Sequence, residues 1–133
     1  CALGLLRTHF ATSSILKASV FDSLGNLTTS LVAWETRGRV YFADVDVLSK
    51  VTPAGPPPAS GRQKNPAVAV NRDGRALLVW GVGEGWASGG LLHWQVFAAD
   101  GSPTNQKGKH GDMPTSSVPE VVALPGGQFV VIH

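Results

Sequence analysis

Nine carboxylates are available for acid–base chemistry: Asp22, Glu35, Asp44, Asp46, Asp73, Glu84, Asp100, Asp112 and Glu120. Hydrolysis of a glycosidic bond needs two of them about 5–10 Å apart across the scissile bond. Asp22, Asp73 and Asp100 stand beside turn glycines, where Asp stabilises the turn by bonding its own backbone. Glu35 follows Trp34 at a strand end, and Glu120 follows Pro119 at a strand start. Glu120 and Glu35 are therefore the catalytic candidates. The Gly-rich run Gly83-Glu84-Gly85-Trp86-Ala87-Ser88-Gly89-Gly90 is long for a hairpin and carries a Trp beside an acid. A sugar ring can stack on the Trp86 face while Glu84 accepts hydroxyl hydrogen bonds, although a Trp folded back over a sheet edge would read the same. No helix start follows this loop, which argues against a phosphate cradle.

Other chemistries find less support. His9, His93, His110 and His133 lack metal-ligand spacing, and Cys1 is the single cysteine, so neither a zinc site nor an internal disulfide is expected. No metal or cofactor is implied. Lys and Arg number 11 against 9 acids, scattered as Arg37/Arg39, Arg62/Lys64, Arg72/Arg75 and Lys107/Lys109. No run reaches the five or six like charges of an interaction tail, so no nucleic-acid partner is expected. No apolar stretch approaches the ~18 residues of a membrane helix, so no membrane span is expected.

The elements that position these residues follow from composition and periodicity. The 133 residues are 43% hydrophobic and 15% charged, enough apolar material for one domain's core. With 16 Gly and 9 Pro, they suit short strands joined by tight turns. Residues 2–17 are the one stretch open to a helix, and Leu5, Leu6, Phe10 and Ile15 give it no clean period.

An internal repeat organises the rest. Pro66–Trp80 aligns without a gap on Pro119–His133, 53 positions later. Both read as Pro, a β-branched run, a Gly turn and a second apolar run, which is a hairpin signature. Ala18–Asn26 leading into Leu31–Trp34 is a weaker copy, and Arg39–Val45 corresponds to Leu91–Phe97 at an offset of 52. Trp34 and Trp80 fall at equivalent strand ends and read as packing aromatics. The strands Pro66–Val70 and Ala76–Trp80 are apolar on both faces, which predicts cover from both sides. The polar Gly/Pro linkers Ser49–Asn65 and Asp100–Ser117 are expected to be surface connections or to host only short edge strands.

A strand-rich period near 50 is a propeller-blade length. The expected fold is all-β, a partial β-propeller of about two and a half four-stranded blades. Residues 1–14 are a lead-in, 15–64 blade one, 65–117 blade two, and 118–133 the start of blade three. A ring needs four to eight blades, so the chain is expected to be a piece of a longer protein or to assemble with other copies. An opening Cys instead of Met and a closing apolar run, Gln128–Ile132, favour the first; a lipid-anchored Cys1 is a sharper alternative.

The phrases Ala18-Ser19-Val20, Gly25-Asn26-Leu27, Val32-Ala33-Trp34-Glu35 and Gly38-Arg39-Val40-Tyr41-Phe42-Ala43 resemble a blade of the sialidase-like (BNR-repeat) propellers. Asn65–Trp80 resembles another, and Gly85-Trp86, Gly89-Gly90, Trp94-Gln95-Val96-Phe97 and Asp100-Gly101 are similar to secreted bacterial members. The resemblance covers roughly residues 15–133. It implies a six-bladed ring, a secreted or periplasmic protein, and glycan binding or hydrolysis at the propeller axis. Lys64 stands where the family carries an Arg for the substrate carboxylate; Lys attracts a carboxylate as a point charge, without the bidentate fork. On this likeness Arg39, Lys64 and Glu120 line the site, and Trp86 with Glu84 rims it. The family's Asp-box is absent, and its Tyr nucleophile has no counterpart, since Tyr41 sits inside a strand. The alternative is a non-catalytic module for carbohydrate or protein binding. The expected partners are a carbohydrate and the remaining blades, with self-association of an isolated segment that leaves blade faces open.

Overall fold

The computed structural model describes residues 15–21, 27–46, 48, 50–54, 61–83, 89–115 and 117–133. Every regular element among them is a strand: β1 (Ile15–Phe21), β2 (Leu27–Thr36), β3 (Arg39–Asp46), β4 (Val51–Ala54), β5 (Gln63–Val70), β6 (Ala76–Val82), β7 (Gly90–Phe97), β8 (Pro103–Met113), β9 (Glu120–Ala123) and β10 (Phe129–Ile132). The chain is all-β. β1–β4 form one four-stranded antiparallel sheet and β5–β8 a second, each in sequence order, while β9 and β10 form a hairpin. Of the stretch open to a helix, Ile15–Lys17 lies in β1, and residues 2–14 fall outside the described residues.

The two stretches 53 positions apart take the same local form. At the β5–β6 turn, the Gly74 N–H donates to the Asn71 carbonyl (3.0 Å) and the Asn71 N–H to the Arg75 carbonyl (2.9 Å). At the β9–β10 turn, the Gly127 N–H donates to Leu124 (2.9 Å) and the Leu124 N–H to Gln128 (2.8 Å). Each turn needs its glycine because the third loop residue is left-handed, with φ of 76° at Gly74 and 87° at Gly127. Pro66 and Pro119, the aligned openings, are both fully buried.

Packing explains the two-sided apolar strands. β6 is buried along its whole length. One face, with Leu78, Trp80 and Val82, joins Val68 and Phe97 against Leu31, Ala33, Val40 and Phe42 of the first sheet. The other, with Leu77 and Val79, joins Ala67, Leu92 and Val96 against Val121, Phe129 and Val131 of the hairpin. The second sheet is thus the middle layer. A core on each side removes apolar area from water twice, at about 25 cal/mol per Å².

One expectation needs correction. The linker Asp100–Ser117 is not mainly connection: it holds β8, an 11-residue strand and the longest among the described elements. The reason is that only Pro103 and Pro114 punctuate it, and an edge strand needs backbone donors rather than apolar side chains. Its run of Asn, Gln, Lys, Gly and His serves as a polar edge. Register shifts between Gly90 and Leu92 and between Gln95 and Phe97 twist the ladder there. Of the other linker, Pro53 lies inside the four-residue edge strand β4 and Gln63–Asn65 open β5, while residues 49 and 55–60 fall outside the described residues.

Candidate functional site

The openings of β5 and β9 lie at one end of the layers, because the turns at the opposite ends of both hairpins touch through Asn71 and Gly127. The β2–β3 turn reaches the same end. Arg37 (φ 52°) and Gly38 (φ 73°) form a two-residue turn with both residues left-handed, which suits the twist of the flanking strands. This turn is stitched to β5: the Gln63 N–H donates to the Gly38 carbonyl (2.8 Å), and the buried Gln63 Oε1 accepts the Val40 N–H (2.9 Å). Arg62 runs alongside, its Cγ and Nε 3.4 Å from where a Cβ on Gly38 would sit. The Gly83 N–H donates to the Arg62 carbonyl (3.3 Å).

Glu35 of β2 and Lys64 of β5 are brought near one another through Asn65, while Arg39 lies across the β2–β3 turn from Glu35. Asn65 follows Lys64 at φ 50° within the β5 register irregularity, and its N–H donates to Glu35 Oε2 at 3.3 Å. Strand β5 carries a left-handed residue here because a carboxylate from the neighbouring sheet receives the N–H that the irregular ladder releases. Lys64 is half-buried and lies along Gly81, with Cγ 3.5 Å from the Cβ position there. Arg39 opens β3 opposite Thr36 and is exposed. Glu120 opens β9 and is exposed behind the buried Pro119. Glu84 and Trp86 lie outside the described residues.

A cleft of about 1250 Å³ opens at this end between Gly61, Arg62, Val82, Gly83, Gly89, Gly90, Leu91 and Met113–Thr115. It is larger than the roughly 300–1,000 Å³ of a small-ligand pocket and open rather than enclosed. The segment carrying Glu84 and Trp86 connects Gly83 to Gly89, both on its wall. Arg62 is the residue that sequence reasoning missed. Its only signal was the pairing with Lys64 at i, i+2, which reads equally well as a solvated loop.

A second, smaller groove of about 390 Å³ is lined by Trp80, His93, Trp94, Gln95, Lys107 and Lys109. Trp80 and His93 pair across β6 and β7, with ring centroids 5.8 Å apart. Burial, and secondarily the Lys109 charge, holds the His93 imidazole below its ordinary pKa. The Trp80 indole N–H is buried without an acceptor among the described residues. No group of three or more His, Cys, Asp or Glu among the described residues could hold a metal ion. No helix among them is long and apolar enough to cross a membrane.

Comparison with family models, with curated proteins and with solved structures finds no match for this chain.

Proposed function

We propose that this chain supplies blades to a sialidase-like β-propeller that binds glycans at the end holding Arg39, Arg62, Lys64 and Glu120. One observation supports the reading above others: two in-order four-stranded sheets and a hairpin are stacked face to face, with the same turn recurring 53 residues on. In a propeller the first strand of each blade lies at the axis, and here β5 packs against both β1 and β9. The cleft beside the Gly83–Gly89 connection then faces the ligand, with Arg62 on its wall and Lys64, outside its lining but two residues on, attracting an acidic sugar and Trp86 stacking on a ring. Binding is favoured over hydrolysis because one Glu35 oxygen already accepts the Asn65 N–H.

Quenching of Trp fluorescence by acidic sugars, without turnover and lost in Trp86→Ala, is the expected result. Absence of quenching across neutral and acidic sugars would remove the glycan reading. The second reading, hydrolysis, rests on exposed Glu120. Turnover of a fluorogenic sialoside that vanishes in Glu120→Gln would establish it in place of simple binding.

A further inference from the structure

The three layers repeat not only their strands but also their facing. On the first sheet, Leu31, Ala33, Val40 and Phe42 point at the second sheet. Their counterparts on the second sheet are Leu77 and Val79 on β6 and Leu92 on β7, and these point at the hairpin. The counterparts of Leu77 and Val79 on the hairpin, 53 positions on, are Val130 and Ile132. These point away from the second sheet and are 40% and 59% exposed. Val122, across from Val130 and equivalent to the buried Ala69, is 48% exposed on the same face.

The opposite facing is repeated as well. Trp80 and His93 pair across β6–β7 on the face turned to the first sheet. Trp34 and Tyr41 pair across β2–β3 with the same 5.8 Å centroid separation. They lie on the face of the first sheet turned away from the second, alternating with Ala33 and Phe42, and they are only half-buried. Among the described residues the stack is therefore bounded by two unlike faces, largely apolar apart from Glu120 across from Ile132 on the hairpin, and each is the counterpart of one side of an interface already present inside the chain.

We propose that the outer face of the β9–β10 hairpin (Val122, Val130, Ile132) is a docking surface for the β1–β4 sheet of a second copy of this chain, seated by its Trp34–Tyr41 face. The contact is heterologous: it continues the internal stacking from one chain to the next and closes into a ring when the rotation per layer allows. It extends the propeller reading above but does not depend on a glycan ligand. Covering contiguous apolar side chains with matching ones is the same hydrophobic gain that holds the second sheet to the hairpin.

Sedimentation velocity without sugar tests this directly. The wild-type chain is expected to exceed the mass of one chain increasingly as concentration rises. Val130→Lys with Ile132→Lys blocks the hairpin face, and Tyr41→Lys blocks the first-sheet face. Each blocked variant alone is expected to be monomeric, and an equimolar mixture to reach the mass of two chains and no more, since one compatible pair of faces remains. Val32→Lys, on the same face as Tyr41, replaces Tyr41→Lys should that variant lose its strand circular dichroism. A wild type that stays monomeric, a blocked variant that still associates, or a mixture that stays monomeric would each overturn the proposal. Association is read without sugar, and sugar quenching is read on the chain without these substitutions because Ile132 lies across from Glu120, so the two readings fail separately.

Discussion

The Asn71 side-chain amide donates a 2.7 Å hydrogen bond to the carbonyl of Gly127. It joins one hairpin turn to its counterpart in the next layer. The same side chain organises its own turn, where Oδ1 accepts the N–H groups of Asp73 and Arg75, both at 3.0 Å. One buried asparagine thus sets the turn and ties the layers together at the end opposite the cleft.

Asn71→Ala is expected to lose about 1–3 kcal/mol of stability in urea denaturation, because it strips acceptors from two backbone donors and leaves the Gly127 carbonyl unpaired. Asn71→Asp keeps the accepting oxygen but sets a buried carboxylate oxygen against the Gly127 carbonyl, so its loss is expected to be at least as large. A clearly smaller loss for Asn71→Asp would show that the bonds within the turn, not the link between layers, carry the effect.

Phe42 and Phe97 meet between the first and second sheets with centroids 4.4 Å apart and planes tilted by 57°. Phe42 is 1% exposed. Phe42→Ala is expected to cost about 3–5 kcal/mol. A double-mutant cycle with Phe97→Ala should return a coupling of about 0.5–1.5 kcal/mol, the increment of an aromatic pair beyond its buried area. Additive losses would mean that the two rings fill separate spaces.

His93 predicts the sign of a pH effect. Its folded pKa lies below the ordinary value of 6.5, by burial first and the Lys109 charge second. Below pH 6.5 the unfolded chain therefore binds more protons than the folded one, and its contribution to stability falls as pH drops from 6.5 toward the folded pKa. Above pH 6.5 the contribution is flat. Denaturation midpoints across this window should lose part of their slope in His93→Gln. In Lys109→Gln, an NMR titration should show the His93 pKa moving back up. A His93 resonance titrating at or above 6.5 in the wild type would contradict the direction.

Much of the architecture was legible in local pattern. The apolar runs over Pro66–Val70 and Ala76–Trp80 marked doubly covered strands, and the Gly74 and Gly127 turns marked their hairpin partners. Strand β8 was not legible, since its polar residues carry no periodic signal and its membership rests on backbone bonds to β7. The bond from the Asn65 N–H to Glu35 was equally hidden, because it spans 30 residues and depends on a left-handed residue that sequence does not announce.

The amino-acid order alone determined that this chain forms short antiparallel strands with a repeat near fifty residues, because side-chain periodicity and turn glycines act within a few neighbours. Which face of each sheet meets the next layer was decided only in three dimensions. So were the occupation of Glu35 by a backbone donor and the outward turn of Val130 and Ile132. Those outcomes depend on contacts between residues far apart in the chain, and no local pattern encodes which of two apolar faces finds a partner.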